Sequence, residues 1–341
     1  MKILAIESSC DETSAAVVED GRKALSNVVS TQIEIHAKWG GVVPELASRR
    51  HLESIGPVVD EALKNAHVSI DDIDAIAVTY GPGLVGSLLV GLEYAKALAW
   101  AHGKPLIPVH HIAGHIHAPF LAFDDIPLPS LALVVSGGHT SLFLMKVLGE
   151  YSLLSRTRDD AAGEAYDKVA KLLGLGYPGG PIIDKLAATG RDDAVFFKTA
   201  KMSDGKPDFS FSGLKTAVLH HVRKHEIPPC ASRDDVPQNV RDLLASFQKA
   251  VVDALLRRLK DAVIAHRPAS VILTGGVAAN SRLRSDTKVA MEKMGVPLFV
   301  PPLNLTTDNA AMIGAAGTVA FHRGVRASSN LEAAPFATIG V

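Results

Sequence analysis

The chain has 341 residues, 35 of them basic and 36 acidic for a net charge of −1, with 47% hydrophobic and 5% aromatic content, 28 glycines and 19 prolines. That length exceeds a typical domain of roughly 100 to 200 residues and predicts two lobes, in a soluble α/β composition rich in tight turns. The balanced charge excludes a global electrostatic footprint for nucleic acid, leaving only local spots such as Arg49-Arg50, Arg282 and Arg284, for which solvated surface is the plainer reading.

Two cysteines, Cys10 and Cys230, cannot make a disulfide framework and fit a reducing cytoplasm; Cys10 reads as a small packing residue. The opening MKILAIESSC has too short an apolar run for a signal peptide, and no uncharged apolar segment reaches the roughly 18 residues that span a bilayer. A cytoplasmic protein without a membrane partner is expected.

In chain order, Lys2 to Ile6 reads as a buried strand, Ser8 to Thr13 as a turn, Ala15 to Val18 as a second strand and Asp20-Gly21 as a hairpin turn. Asp74 to Thr79 is a strand ending in Gly81-Pro82-Gly83, followed by a helical stretch to His102 and a strand at Leu106 to Val109. The plan then repeats. Ser130 to Val135 is an apolar run, Ser136 to Thr140 a turn, Ser141 to Val147 a strand and Gly149 a turn. Ser270 to Thr274 is a strand ending in Gly275-Gly276, followed by a helix to Met294 and a strand at Leu298 to Val300.

Ser8 and Ser136 are 128 residues apart (136 − 8), as are Gly21 and Gly149 (149 − 21). Two related α/β lobes are therefore expected, residues 1–129 and 130–341, facing a cleft, with a helical insertion at about 159–240 in the second.

The stretch VHHIAGHIH places four of the 14 histidines within eight residues. His111 and His115 are spaced i, i+4, which on a helix sets two imidazoles on one face at metal-chelating spacing. Ile112 stands where the zinc-protease pattern H-E-x-x-H keeps its general base, which disfavours a metallopeptidase. The alternative is that these histidines cap a strand end. Asp308 follows the corresponding strand of the second lobe, so a metal held across the cleft by His111, His115 and Asp308 is expected, with His110 and His117 off that face.

The turns Ser136-Gly137-Gly138 and Gly275-Gly276, the latter just before Asn280, can bring backbone N–H groups close to an anion at a helix start, which favours a nucleotide. No P-loop occurs. Gly81 to Gly86 fits G-x-G-x-x-G, but the next strand ends in His110 rather than in a ribose-binding acid. In DDAAGEAYDK, Asp160 is the expected helix N-cap, Gly163 allows close approach, and Asp167 can accept from ribose hydroxyls. Asp11 and Glu12 are either cleft acids that position water, metal or an amine, or ordinary turn acids.

The segments IESSCDETS, GGVVPELASRRH, TYGPGLVGSLLVG, VHHIAGHIHAP, VVSGGHTSL, DDAAGEAYDKVAKLLGLGYPGGP, FSFSGLKTAV, TGGVAANSRLR and TTDNAAMIG resemble the bacterial TsaD (Gcp-like) family over residues 3 to about 320. The resemblance implies the two-lobed actin-like (ASKHA, ribonuclease H-like) fold. It also implies transfer of threonylcarbamoyl from threonylcarbamoyl-AMP to N6 of the adenosine 3′ of the anticodon, in tRNAs reading codons that begin with A. It assigns the metal to His111, His115 and Asp308, with Fe(2+) usual and Zn(2+) the alternative. Nucleotide and substrate contacts map to Val134, Val135, Ser136, Gly137, Gly138, Asp167, Gly180, Asp184 and Asn280, and Asp11 is the candidate to orient the attacking amine. The implied partners are tRNA and TsaB-like and TsaE-like proteins. One departure is Ile112-Ala113, where many members carry Met-Glu, a carboxylate that Ala113 cannot supply. The competing functions are an ATPase or kinase of the same superfamily, a metallopeptidase and a nucleotide-gated scaffold; oxygen-preferring Mg²⁺ argues against the kinase, given the histidine pair.

Overall fold

The computed structural model describes residues 1–199, 202 and 204–340; Ala200, Lys201 and Ser203, within the expected insertion, lie outside the described residues. The elements in chain order begin β1 (Lys2–Glu7), β2 (Glu12–Glu19), β3 (Lys23–Thr31), α1 (Ile33–Ala37), α2 (Pro44–Asn65), β4 (Ala75–Gly81), α3 (Val85–Ala101), β5 (Leu106–His110) and α4 (His111–His117). They continue with β6 (Ser130–Val135), β7 (Thr140–Val147), β8 (Glu150–Arg156), α5 (Ala162–Leu172), α6 (Gly179–Ala187), α7 (Ser212–Lys224) and α8 (Gln238–His266). The last are β9 (Ser270–Thr274), α9 (Ser281–Met294), β10 (Leu298–Phe299) and α10 (Ala310–His322).

Two five-stranded sheets form, in the orders β3-β2-β1-β4-β5 and β8-β7-β6-β9-β10. Shifting every label of the first by five produces the second, so the repeat seen at 128-residue spacing is a repeat of topology. In the first sheet β1 pairs antiparallel with β2 and parallel with β4, and β4 runs parallel to β5. In the second, β9 runs parallel to both β6 and β10.

The first sheet is buried on both faces, which explains the near-continuous apolar run of β1. Alternate side chains leave a strand on opposite sides. Ile3 and Ala5 join a cluster with α10, and Leu4 and Ile6 join a cluster with residues of α2 and α3. In the second sheet Leu131, Leu133 and Val135 of β6 and Val271 and Leu273 of β9 pack into one core with α5, α8 and α9. The expected insertion holds α5, α6 and α7. Among the described residues no helix is long and apolar enough to cross a membrane.

The chain divides into two compact units that are discontinuous in sequence, where a single cut near residue 129 was expected. The first comprises Met1–Pro127, Met145–Ser152 and the segment from Pro301 onward; the second comprises Leu128–Leu144 and Leu153–Val300. The reason lies in α10. Its run of Ala310, Ala311, Met312, Ile313, Ala315 and Ala316 is buried against Ile3, Ala16, Ala77 and Val109 of the first sheet, so the chain returns there after β10.

His51 on α2 is fully buried and neutral: its Nδ1 accepts from Thr13 Oγ1 at 2.7 Å and its Nε2 donates to the Cys10 carbonyl at 2.9 Å. Burial pushes its pKa below the ordinary 6.5. The unfolded chain therefore takes up this proton first, so the contribution of His51 to stability is complete above about pH 6.5 and falls as the pH drops below it. His51→Gln is expected to flatten the dependence of the urea midpoint on pH between about 7 and 5; an unchanged slope would remove His51 as a cause of acid lability.

Candidate functional site

β5 ends at His110, whose extended backbone and side chain start α4: Nδ1 accepts from Ile112 N at 3.2 Å, and Nε2 donates to the Ala337 carbonyl at 3.3 Å. His110 is thus a helix cap, and burial lowers its pKa to about 4. The helix places His111 and His115 on one face, with ring centroids 4.7 Å apart and planes at 82°. His117 is buried off that face beside Phe120 and Tyr151, and burial likewise lowers its pKa to about 4. Ala113 packs in the apolar cluster with α10.

Asp308 Oδ1 lies 3.1 Å from His115 Nε2 and 3.6 Å from His111 Nε2. Its position is set by the start of α10, where Asn309 Oδ1 accepts from Met312 N and Ala310 N donates to Ser14 Oγ on β2 at 2.8 Å. All three residues belong to the first unit. The expectation of a metal shared between lobes is thereby corrected: Asp308 follows the last strand of the second sheet in sequence, but α10 docks it on the first.

One ligand atom from each of the three lies within 4.8 Å of the others. Two imidazole nitrogens and a carboxylate oxygen, two of the residues buried and the third partly so, fit a divalent metal with positions left open. Among the described residues no other group of three or more such side chains is placed to hold one.

Sequence reasoning missed Glu7. It is completely buried at the end of β1, with Oε2 3.1 Å from His111 Nδ1. Burial disfavours charge on both, but His111 outweighs it at Glu7, whose pKa is lowered, and Asp308 followed by Glu7 outweighs it at His111, whose pKa is lifted to about 9. The signal was a lone acid closing an apolar strand run. Asp11 is buried in the β1–β2 turn, and Glu12 beside it is held well above the usual carboxylate range by burial and by the charges of Asp11 and Asp308.

The remaining candidates lie in the second unit. Val134 and Val135 are fully buried in β6, which leaves only their backbone to meet a ligand. The turn after β6 is closed by Ser136 N donating to His139 O and His139 N to Ser136 Oγ, while Gly163 N and Glu164 N of α5 donate to the Ser136 and Gly137 carbonyls. Gly137, Gly138 and Gly180 have open space where a side chain would stand.

Asp167 Oδ1 accepts from Gly179 N at 2.7 Å, joining α5 to the start of α6. Asp184 accepts from Ser281 N and Oγ and from Gln248 Nε2; Gln248 Oε1 in turn accepts from Asn280 Nδ2, and Asn280 Oδ1 caps α9. Gln248, buried on α8, links two predicted residues and was not foreseen. Asp160 does not cap α5 as expected. Ala161 holds that position, Thr140 Oγ1 takes the Ala162 N–H, and Asp160 pairs with Lys168 at 2.8 Å.

The G-x-G-x-x-G segment binds protein instead of phosphate groups. A Cβ at Gly81 would run into the Ala334 carbonyl, and one at Gly83 would meet Ser9; Ala334 N donates to Tyr80 O and Gly83 N to Pro335 O. Gly81 admits the C-terminal segment, and Gly83 admits Ser9. The basic spots are engaged too: Arg49 with Glu45, Arg50 with Glu53, Arg282 with Asp192 and Asp286, and Arg284 with the Ala278 carbonyl.

Residues 23–315 match the TsaD family, described as tRNA N6-adenosine threonylcarbamoyltransferase. The chain belongs to the TsaD family. Proteins of that description from Anaeromyxobacter dehalogenans (strain 2CP-1) and Clostridium botulinum (strain 657) are 57% and 53% identical to it. The first match covers 98% of both chains, and the second covers 100% of this chain and 98% of the relative. Among solved structures, component A of (R)-2-hydroxyglutaryl-CoA dehydratase from Acidaminococcus fermentans is similar at a TM-score of 0.52 and 16% identity, covering 94% of this chain and 97% of that one. That likeness concerns the fold alone. The two equivalent sheets give this TsaD-family chain the two-lobed actin-like fold.

Proposed function

We propose that this protein is a tRNA N6-adenosine threonylcarbamoyltransferase, moving the threonylcarbamoyl group from threonylcarbamoyl-AMP to N6 of the adenosine 3′ of the anticodon in tRNAs that read codons beginning with A. The observation that carries the reading is the near full-length identity with relatives of that name, in a chain whose His111, His115 and Asp308 converge.

The reaction forms a bond between the exocyclic nitrogen and the carbamoyl carbon, breaks the bond from that carbon to the phosphate oxygen, and releases AMP and the amine proton. Adenine N6 is a weak nucleophile and the adenylate a good leaving group, so positioning and charge stabilisation are what the protein must supply. The Ser136 to Gly138 turn and the backbone of Val134 and Val135 hold the nucleotide. Asp167, Gly180, Asp184 and Asn280 shape its site, with Asp184 and Asn280 fixed through Gln248. Asp11 orients the attacking amine. A divalent ion on His111, His115 and Asp308, Fe(2+) with Zn(2+) as the alternative, supplies Lewis acidity for an anionic oxygen. tRNA and TsaB-like and TsaE-like proteins are the partners.

The test is mass spectrometry of nucleosides after incubation of the purified protein, its TsaB-like and TsaE-like partners, threonylcarbamoyl-AMP and unmodified tRNA. The threonylcarbamoylated adenosine is the expected product. Its absence, with ATP or peptide hydrolysis in its place, would overturn the reading.

A further inference from the structure

We propose that Glu7 is a positioning residue that commits His111 to bind its metal through Nε2. The proposal rests on His111, His115 and Asp308 being the metal site.

Glu7 has no exposed surface, and a buried carboxylate is costly unless its oxygens are satisfied. They are: Ser9 N donates to Oε1 at 2.6 Å, Thr79 Oγ1 on β4 donates to Oε2 at 2.6 Å, and His111 Nδ1 lies 3.1 Å from Oε2. An ionised carboxylate only accepts, so the proton facing it must sit on Nδ1. Ser9 Oγ, 3.2 Å from the same nitrogen, is a second acceptor for it. His111 Nε2 faces Asp308 Oδ1 and His115, so with Nδ1 keeping its proton for Glu7, Nε2 is the nitrogen that gives up its proton to a metal. A carboxylate behind a ligating imidazole fixes its tautomer and ring orientation and raises its basicity as a ligand.

Glutamine at position 7 cannot replace this. With its amide NH₂ towards His111 it favours a proton on Nε2, where the metal must bind. With the NH₂ turned the other way it faces the Ser9 N–H. Glu7→Gln is therefore expected to weaken Zn²⁺ binding about 10- to 100-fold, measured by competition with a chromophoric chelator, in a protein whose circular dichroism and urea midpoint match the parent. Glu7→Asp, which keeps the acceptor but shortens its reach, is expected to recover part of the affinity. Unchanged affinity in folded Glu7→Gln would overturn the proposal.

A second measurement stands whether or not that variant folds. In the Zn²⁺-loaded parent labelled with ¹⁵N-histidine, His111 is expected to show a protonated Nδ1 and a metal-bound Nε2. Coordination through Nδ1 would overturn the role of Glu7. Because both readouts concern the metal, they can fail while transfer to tRNA succeeds; a metal retained in full by His111→Ala would instead remove the site on which the proposal rests.

Discussion

His115→Ala is expected to lower metal affinity by more than about 100-fold, beyond the loss that removal of a mere outer-shell partner causes. Its imidazole is fully buried, its Nε2 is 3.1 Å from Asp308 Oδ1, and without it only His111 and Asp308 remain of the donor set. Lewis-acid stabilisation of developing charge is worth several kcal/mol, and about 1.4 kcal/mol is a factor of ten in rate, so transfer is expected to slow by roughly 10² to 10³. Metal content after dialysis and the rate of modified-adenosine formation check the two halves of the prediction. A variant that keeps its metal would show that the ligands have been assigned wrongly.

Gly275→Ala is expected to destabilise the second unit by about 3 kcal/mol or more. Gly275 follows β9 with φ 94° and ψ 163°, a region essentially confined to glycine. A Cβ there would also run into the Val135 carbonyl, with the carbon at 2.8 Å. The obstacle is backbone of β6, held parallel to β9 from Ser130↔Ser270 to Val134↔Thr274, and cannot swing aside as a flexible side chain would. A fall in urea midpoint with unchanged slope is the expected result. An unmoved midpoint would mean that the turn has another conformation.

Both predictions concern residues singled out from the sequence, and they were legible for the same reason. Strand runs, glycine turns and an i, i+4 histidine pair are local patterns, and their meaning is decided by periodicity within a few residues. Even the duplication could be read, because paired turns kept their spacing in both halves. Asp160 misled because a helix can be capped from outside: Thr140, twenty-two residues earlier, takes the Ala162 N–H that a cap would have served. Glu7 was visible as an acid ending an apolar strand, but nothing nearby in the chain pointed to its partners His111 and Thr79.

By itself the sequence determined two α/β repeats, the family, and two imidazoles aimed from one short helix. Only the tertiary structure decided that Asp308 joins them within a single unit, that Glu7 stands behind His111, and that Gly81 of G-x-G-x-x-G receives the chain's own C-terminal segment. The physical reason is packing. The apolar helix α10 buries its surface on the first sheet, and a residue nearly two hundred positions from His115 is carried to that site by contacts that no local pattern encodes.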